Sequence, residues 1–209
     1  MKPSPGASAW AALPDGITAL GFAWVWASPF AFGGIGVKTA LVTMLVEFLL
    51  IHGTGFFNAL SNAGDMKKST RVLGMFGLSL FYVLMIAAFS LAFDAWWPFV
   101  AFAWLLVGKI VWTLRRPVAT DDQMFSLMAA WAASVAAYLA AVMITSIPES
   151  FPRGGMAAEL QPRFGLGDAS GGLWVDEPHR VVAAGALYFA LLCLGKLATA
   201  VWDSRRRRG

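Results

Sequence analysis

The sequence predicts an all-α protein embedded in a membrane as a bundle of six transmembrane helices. Three observations indicate this class: 58% of the 209 residues are hydrophobic, only 13% are charged, and the mean hydropathy is +0.65. A soluble domain carries about 25% charged residues, so this chain lacks the charge to cover a globular surface. The composition excludes an ordinary cytosolic enzyme, a disordered protein and a nucleic-acid-binding domain. The single cysteine, Cys193, excludes a disulfide framework or a cysteine-based zinc site.

Six apolar segments approach or exceed the length that crosses a bilayer. About 20 mostly apolar residues cross the hydrocarbon core as a helix. Pro29 interrupts the first segment, whose aromatic residues fit a retained helix better than a cleaved signal peptide. We predict a single integral membrane domain, 1–209, with spans at 16–32, 35–60, 72–93, 96–114, 124–147 and 180–202.

The distribution of basic residues predicts the orientation of these spans. Lysine and arginine prefer the cytoplasmic ends of membrane helices. With both termini in the cytoplasm, ten of the 16 basic residues fall in cytoplasmic segments and four in external ones. The other two, Lys109 and Lys196, lie near the inner ends of their helices, where their side chains can snorkel to the interface. We expect a multi-pass protein of the bacterial inner (plasma) membrane.

A run of four arginines follows the sixth span. Such a run is typical of a stop-transfer anchor, and it also attracts anionic lipid head groups. Nothing aromatic or structured beside it indicates nucleic acid as a partner. The run consists of Arg205, Arg206, Arg207 and Arg208.

The outer loop, 148–179, is the one long segment predicted outside the membrane, and it is rich in glycine and proline. Loops this long are usually either functional or disordered. We expect an ordered lid or partner-contact loop, in which Asp176–Arg180 forms a solvated N-terminal cap of the sixth span. Four of its residues are apolar enough to fold back on the bundle: Phe164, Leu166, Leu173 and Trp174.

Glu47 is anomalous because it lies midway along the second span. A charge at the bilayer centre costs about 2.5–3.5 kcal/mol, so such a residue faces the protein interior or a water cavity. Helical spacing places it in a polar stripe that comprises Thr43, Glu47, Thr54, Asn58 and Ser61. The stripe has two interpretations. Glu47 is either a proton or cation site, or a protonated acid hydrogen-bonded across helices to Ser79, Tyr82, Ser134 or Tyr138.

The two histidines lie at different depths. His52 points about 140° away from Glu47 around the helix, and His179 lies at the outer end of the sixth span. A haem b held by both within one chain is therefore not expected, although one shared between subunits stays open. A metal site of Glu47, His52 and Met44 requires a distorted helix, so we predict no metal; any cofactor stays unknown.

Three functions remain open, and no catalytic residue is predicted. The first is a non-catalytic subunit or assembly component of a membrane complex, which recognises other membrane subunits or a second copy through the outer loop and helix seams rich in small residues. The second is a small transporter or channel in which Glu47 acts beside Thr43, Thr54 and Asn58. The third is an intramembrane enzyme acting on a lipid or quinone, with Glu47 or His52 as acid or base.

Overall fold

The fold is helical, as the sequence predicts. A computed structural model of the chain describes residues 10–115, 119–166 and 171–206. Apart from one four-residue strand, every regular element in these ranges is a helix. The elements are α1 (Leu13–Ala27), β1 (Ala31–Gly34), α2 (Gly36–Ser61), α3 (Lys68–Phe93), α4 (Trp97–Arg115), α5 (Asp121–Ser146), a 3-10 helix (Ala158–Arg163), α6 (Leu173–Asp176) and α7 (Pro178–Arg206).

Five helices in the described part of the chain are long and apolar enough to cross a membrane. They are α2, α3, α4, α5 and α7. The remaining long helix, α1, has 15 residues and is shorter than the ~20 that a full crossing requires. The protein is therefore a helical membrane protein with five candidate spans.

The end of α1 differs from the predicted span, which continued to residue 32. The helix ends at Ala27 because Ser28 precedes Pro29, and the ring of a proline sterically disfavours helical angles in the residue before it. Ser28 accordingly has φ −141° and ψ 80°. Pro14 lies in the first turn of α1, where the missing backbone N–H costs nothing.

The chain forms two compact units, which we describe separately. Of the described residues, the first unit holds 10–41, 136–166 and 171–206, and the second holds 42–115 and 119–135. We refer to them as the α1–α7 unit and the α3–α4 unit.

In the α1–α7 unit, α1 packs antiparallel against α7. Near the start of α1, Gly16 lies against Cys193, and further along it the Phe22 ring lies 5.5 Å from that of Phe189. Asp15 forms an ion pair of 2.5 Å with Lys196. Lys196, which we expected to snorkel, therefore binds a carboxylate of α1.

In the α3–α4 unit, three aromatic rings from three helices form the centre of the core. Phe57 of α2, Tyr82 of α3 and Phe102 of α4 have ring centroids 5.7–6.2 Å apart. Offset ring pairs at this separation stabilise a core beyond their buried area. The cluster of buried side chains also contains Leu49, Met75 and Ile86.

Basic residues at the start of α3 bind the ends of neighbouring helices in this unit. The buried guanidinium of Arg71 donates to the carbonyl of Ser61, the last residue of α2. Lys68 Nζ donates to the Leu114 carbonyl near the end of α4, at 3.4 Å. The last carbonyls of a helix have no partner within it, so these cations satisfy groups that would otherwise be unpaired.

The α1–α7 contact yields a test of the packing. A Cβ added at Gly185 would overlap the Phe22 ring, whereas one at Gly195, also on α7, would meet nothing within 4 Å. We expect Gly185→Ala to lower the free energy of unfolding by about 1–3 kcal/mol, because overpacking forces the helices apart. Thermal unfolding in detergent measures the effect, with Gly195→Ala as the matched control. Equal unfolding temperatures of the two variants would contradict this packing.

Candidate functional site

The predicted polar stripe follows one side of α2. Thr43, Glu47 and Thr54 are half-buried, and Asn58 and Ser61 are buried. At the lower end of the stripe the Ser61 hydroxyl donates to the Asn58 carbonyl at 3.1 Å. The structure thus brings Asn58 and Ser61 together and places Glu47 more than two turns further up the same helix.

Two hydroxyls named as partners for Glu47 donate within their own helices. Ser79 Oγ donates to the Met75 carbonyl at 2.6 Å, and Ser134 Oγ donates to the Ala130 carbonyl at 3.1 Å. Their protons are therefore used locally, and neither donates to a carboxylate in this arrangement.

His52 is bound locally and does not join the stripe. Its Nδ1 donates to the Phe48 carbonyl at 2.8 Å, and its ring lies 4.2 Å from the Phe48 ring. His179 is buried at the start of α7, where its ring stacks on Phe151 at 6.4 Å. Among the described residues, no three His, Cys, Asp or Glu side chains are grouped so that they could hold a metal ion.

The structure adds a residue to the stripe that the sequence analysis did not connect with it. Lys109 of α4 turns towards α2, and its Nζ donates to Asn58 Oδ1 at 2.6 Å. We had expected this lysine to snorkel towards the interface. An amide oxygen within reach of a half-buried ammonium provides a hydrogen bond inside the protein, so the side chain binds there instead.

Asn62 supports this pair from the next turn of α2. Its Nδ2 donates to the Asn58 carbonyl at 2.8 Å, and its Oδ1 accepts from the Ala119 N–H at 2.9 Å. The amide nitrogen and the amide oxygen of Asn62 therefore both form hydrogen bonds. Asn62 consequently holds the end of α2 against the segment that leads into α5.

A cavity of about 370 Å³ adjoins the Asn58–Lys109 pair, entirely within the α3–α4 unit. Three of its lining residues are polar, and three others have large apolar side chains. Such a lining suits a ligand with a polar head and an apolar part. The lining residues are Asn58, Asn62, Lys109, Trp104, Leu105, Leu127 and Gly108.

A second polar centre lies at the start of α7 in the α1–α7 unit, around Arg180. Its guanidinium donates to the carbonyls of Thr145 and Pro148, each at 2.8 Å, and of Glu149 at 3.1 Å. It also pairs with the Glu177 carboxylate. Arg180 thus binds the end of α5 and the beginning of the outer loop. The interpretation of Asp176–Arg180 as a solvated cap is wrong for Arg180, because the carbonyls at the end of α5 need a donor and bury it.

The outer loop is ordered where the structure describes it. Phe164 and Leu166 are buried, as expected for residues that fold back, whereas Trp174 is half-buried and Leu173 is exposed. Gly155 donates its N–H to the Trp26 carbonyl at 3.0 Å. A Cβ at Gly155 would overlap the Ala27 carbonyl, so only glycine permits this approach to the end of α1.

Comparison with known proteins leaves the chain without a family assignment. No protein-family model, no curated protein and no solved structure matches it. Its function must therefore be inferred from its own side chains. The arrangements available are the polar stripe of α2, the cavity beside Lys109 and the ordered outer loop.

The Glu177–Arg180 pair predicts a pH dependence of stability. The hydrogen bond from Arg180 lowers the pKa of Glu177 below that of an ordinary glutamate, and the positive charges of Arg180, His179 and Arg153 contribute to this. A depressed pKa stabilises the folded protein above the unfolded value of about 4.3, and the contribution is lost as the pH falls through the folded pKa.

We therefore expect Glu177→Gln to lower the unfolding temperature at pH 7 and to make little difference near pH 3. Unfolding temperatures measured in detergent between pH 3 and pH 7 test this expectation. Glu159→Gln, at an exposed glutamate of the outer loop, is the control. If the unfolding temperatures of wild type and Glu177→Gln changed in parallel with pH, the Glu177–Arg180 pair would not contribute to stability.

Proposed function

We propose that this protein is a non-catalytic subunit or assembly component of a bacterial inner-membrane complex, which recognises its partners through an exposed face of α5 and the outer loop. The observation that carries the proposal is a patch of exposed small side chains on one face of α5, which lies beside larger exposed side chains such as Phe125 and Leu139.

The packing of α1 supports six spans with both termini in the cytoplasm. Because α1 runs antiparallel along α7, its first residues lie beside Lys196, towards the C-terminal end of α7. A 15-residue helix is about 22 Å long. Residues 28–35 then carry the chain to α2, so α1 serves as a short sixth span. The excess of basic residues on the side of the termini favours the cytoplasm for both of them.

This topology is tested with cysteines introduced into a Cys193→Ala background. Ser150 in the outer loop and Asp65 between α2 and α3 are both exposed. We expect a membrane-impermeant maleimide to label Ser150→Cys in intact cells and to label Asp65→Cys only after the membrane is permeabilised. Arg205→Cys, which reports on the C-terminal side, should behave like Asp65→Cys. The reverse pattern would refute the orientation, and a split between Asp65→Cys and Arg205→Cys would refute the four spans predicted between these two positions.

The interface is proposed from the α5 small-residue face, which comprises Ser126, Ala129, Ala130 and Ala133. These residues share one side of the helix, and all four are exposed. Small side chains let two membrane helices approach closely and gain dispersion contacts, which lipid chains do not provide.

The exposed side of α3 has the opposite character. At the same helical spacing it presents Leu73, Phe76, Leu80 and Leu84, each more than half exposed. Large apolar side chains are what a helix presents to acyl chains. The contrast within one unit favours α3 as the lipid-facing helix and α5 as the partner-facing one.

The order of the outer loop supports a second point of contact. Its described residues are fixed by Arg180, by Trp26 and by the packing of Phe164 on Phe30 at 5.8 Å. A loop held in one conformation loses little entropy when a partner binds, which favours recognition.

We expect the double variant Ala130→Leu with Ala133→Leu to lose at least half of the complex that wild type forms. The added side chains keep a partner helix at a distance. Light scattering after size-exclusion chromatography in mild detergent gives the mass of the complex and distinguishes a second copy from another subunit. Ala88→Leu, at an exposed alanine of α3, is the matched control. A wild-type protein that is monomeric when extracted, or a double variant of unchanged mass, would argue against the proposal.

A further inference from the structure

The cavity beside Lys109 combines a cation with two asparagine side chains whose oxygens already accept hydrogen bonds within the protein. Among the described residues, Lys109 forms no ion pair, and its single hydrogen bond goes to Asn58 Oδ1. An ammonium has three N–H donors, so two of them are left for a ligand. A half-buried cation without a counter-charge is costly in a membrane, and an anion in the cavity would compensate it.

The orientation of Asn58 adds donors of the same kind. Because its Oδ1 accepts from Lys109, its amide NH₂ lies on the other side of the group, and it makes no hydrogen bond with the described residues. Asn62, by contrast, is fully engaged and only holds Asn58 in place. The two asparagine oxygens are thus occupied, and the N–H groups left over on Lys109 and Asn58 are the complement of a phosphate oxygen.

The apolar wall distinguishes a lipid from a free anion. Trp104, Leu105 and Leu127 line the cavity, and Trp104 is 83% exposed on a membrane-spanning helix, where its neighbours are acyl chains. Gly108 leaves the wall open, since a Cβ added there would meet nothing within 4 Å. An inorganic ion would not pack against this apolar surface, whereas a lipid chain would.

The position of the cavity along the helices suits a headgroup. Lys109 lies six residues before Arg115, the last residue of α4, which corresponds to about 9 Å along the axis. Asn58 lies three residues before the end of α2. These polar groups therefore lie within two helical turns of the ends of their helices, where a headgroup that enters the bundle from the interface can reach them while its chains extend towards the bilayer centre.

We propose that this cavity binds an anionic phospholipid, with its phosphate on Lys109 and Asn58 and the upper part of a chain along Trp104 and Leu105. The site does not include the arginine run Arg205–Arg208, for which the sequence also predicts contacts with anionic headgroups. It does not depend on the proposed role in a membrane complex.

The test uses the full-length protein, purified in detergent, and native mass spectrometry to count bound lipids. The probes are phosphatidylglycerol, phosphatidylcholine of the same chain length, and inorganic phosphate. We expect one phosphatidylglycerol to bind wild type about tenfold more tightly than phosphatidylcholine. Both lipids carry the phosphate, but the choline cation of phosphatidylcholine leaves the positive charge of Lys109 uncompensated. The preference should persist in high salt, which would screen contacts of lipids with the arginine run.

Lys109→Gln should abolish the preference, and Lys109→Arg should retain it. Gly108→Leu fills the cavity without removing the charge and should abolish it too, so the proposal stays testable if Lys109→Gln fails to fold. Gly77→Leu on α3, where a Cβ also meets nothing within 4 Å, is the matched control and should bind like wild type. Unchanged binding in Gly108→Leu would overturn the site, and displacement of the lipid by an equal concentration of inorganic phosphate would overturn the assignment to a lipid.

Discussion

Carbonyl groups at the ends of membrane helices need hydrogen-bond donors, and in this protein basic side chains supply them. Arg71 binds the end of α2, Lys68 the end of α4 and Arg180 the end of α5. Each of these cations lies at the start of one long helix and binds the end of another. The same residues thus join helices to one another and satisfy backbone groups that water reaches poorly. The predicted orientation places Arg180 outside the cytoplasm, against the preference of basic residues, and its hydrogen bonds to the end of α5 give a structural reason for an arginine at this position.

The intramembrane polar side chains follow the same constraint. Lys196 binds Asp15, and Lys109 binds Asn58, so each ammonium has an oxygen partner. The two partners differ in charge, and this difference has consequences. A carboxylate neutralises Lys196, whereas an amide leaves the charge of Lys109 uncompensated. The Asp15–Lys196 pair completes the packing of α1 against α7. The Asn58–Lys109 pair leaves a positive charge that can bind an anion.

The helices themselves could be predicted from the sequence, because the length of an apolar run reports directly on a membrane helix. The early end of α1 could also be predicted, since Pro29 disfavours helical backbone angles in Ser28. Pairs such as Asn58 with Lys109 could not be predicted. They join residues 51 positions apart, and helical periodicity fixes the face of each residue but not the neighbour that it meets. The role proposed for Glu47 stays a prediction for the same reason.

The antiparallel contact of α1 with α7 joins the two ends of the described chain. Asp15 is made early in synthesis, whereas Lys196 leaves the ribosome only after all the other helices. The first helix therefore has no ionic partner during most of translation, and the α1–α7 unit closes late. Until then the carboxylate of a short helix must be shielded by headgroups or by the insertion machinery. The ion pair that joins α1 to α7 therefore forms only after α7 has been synthesised.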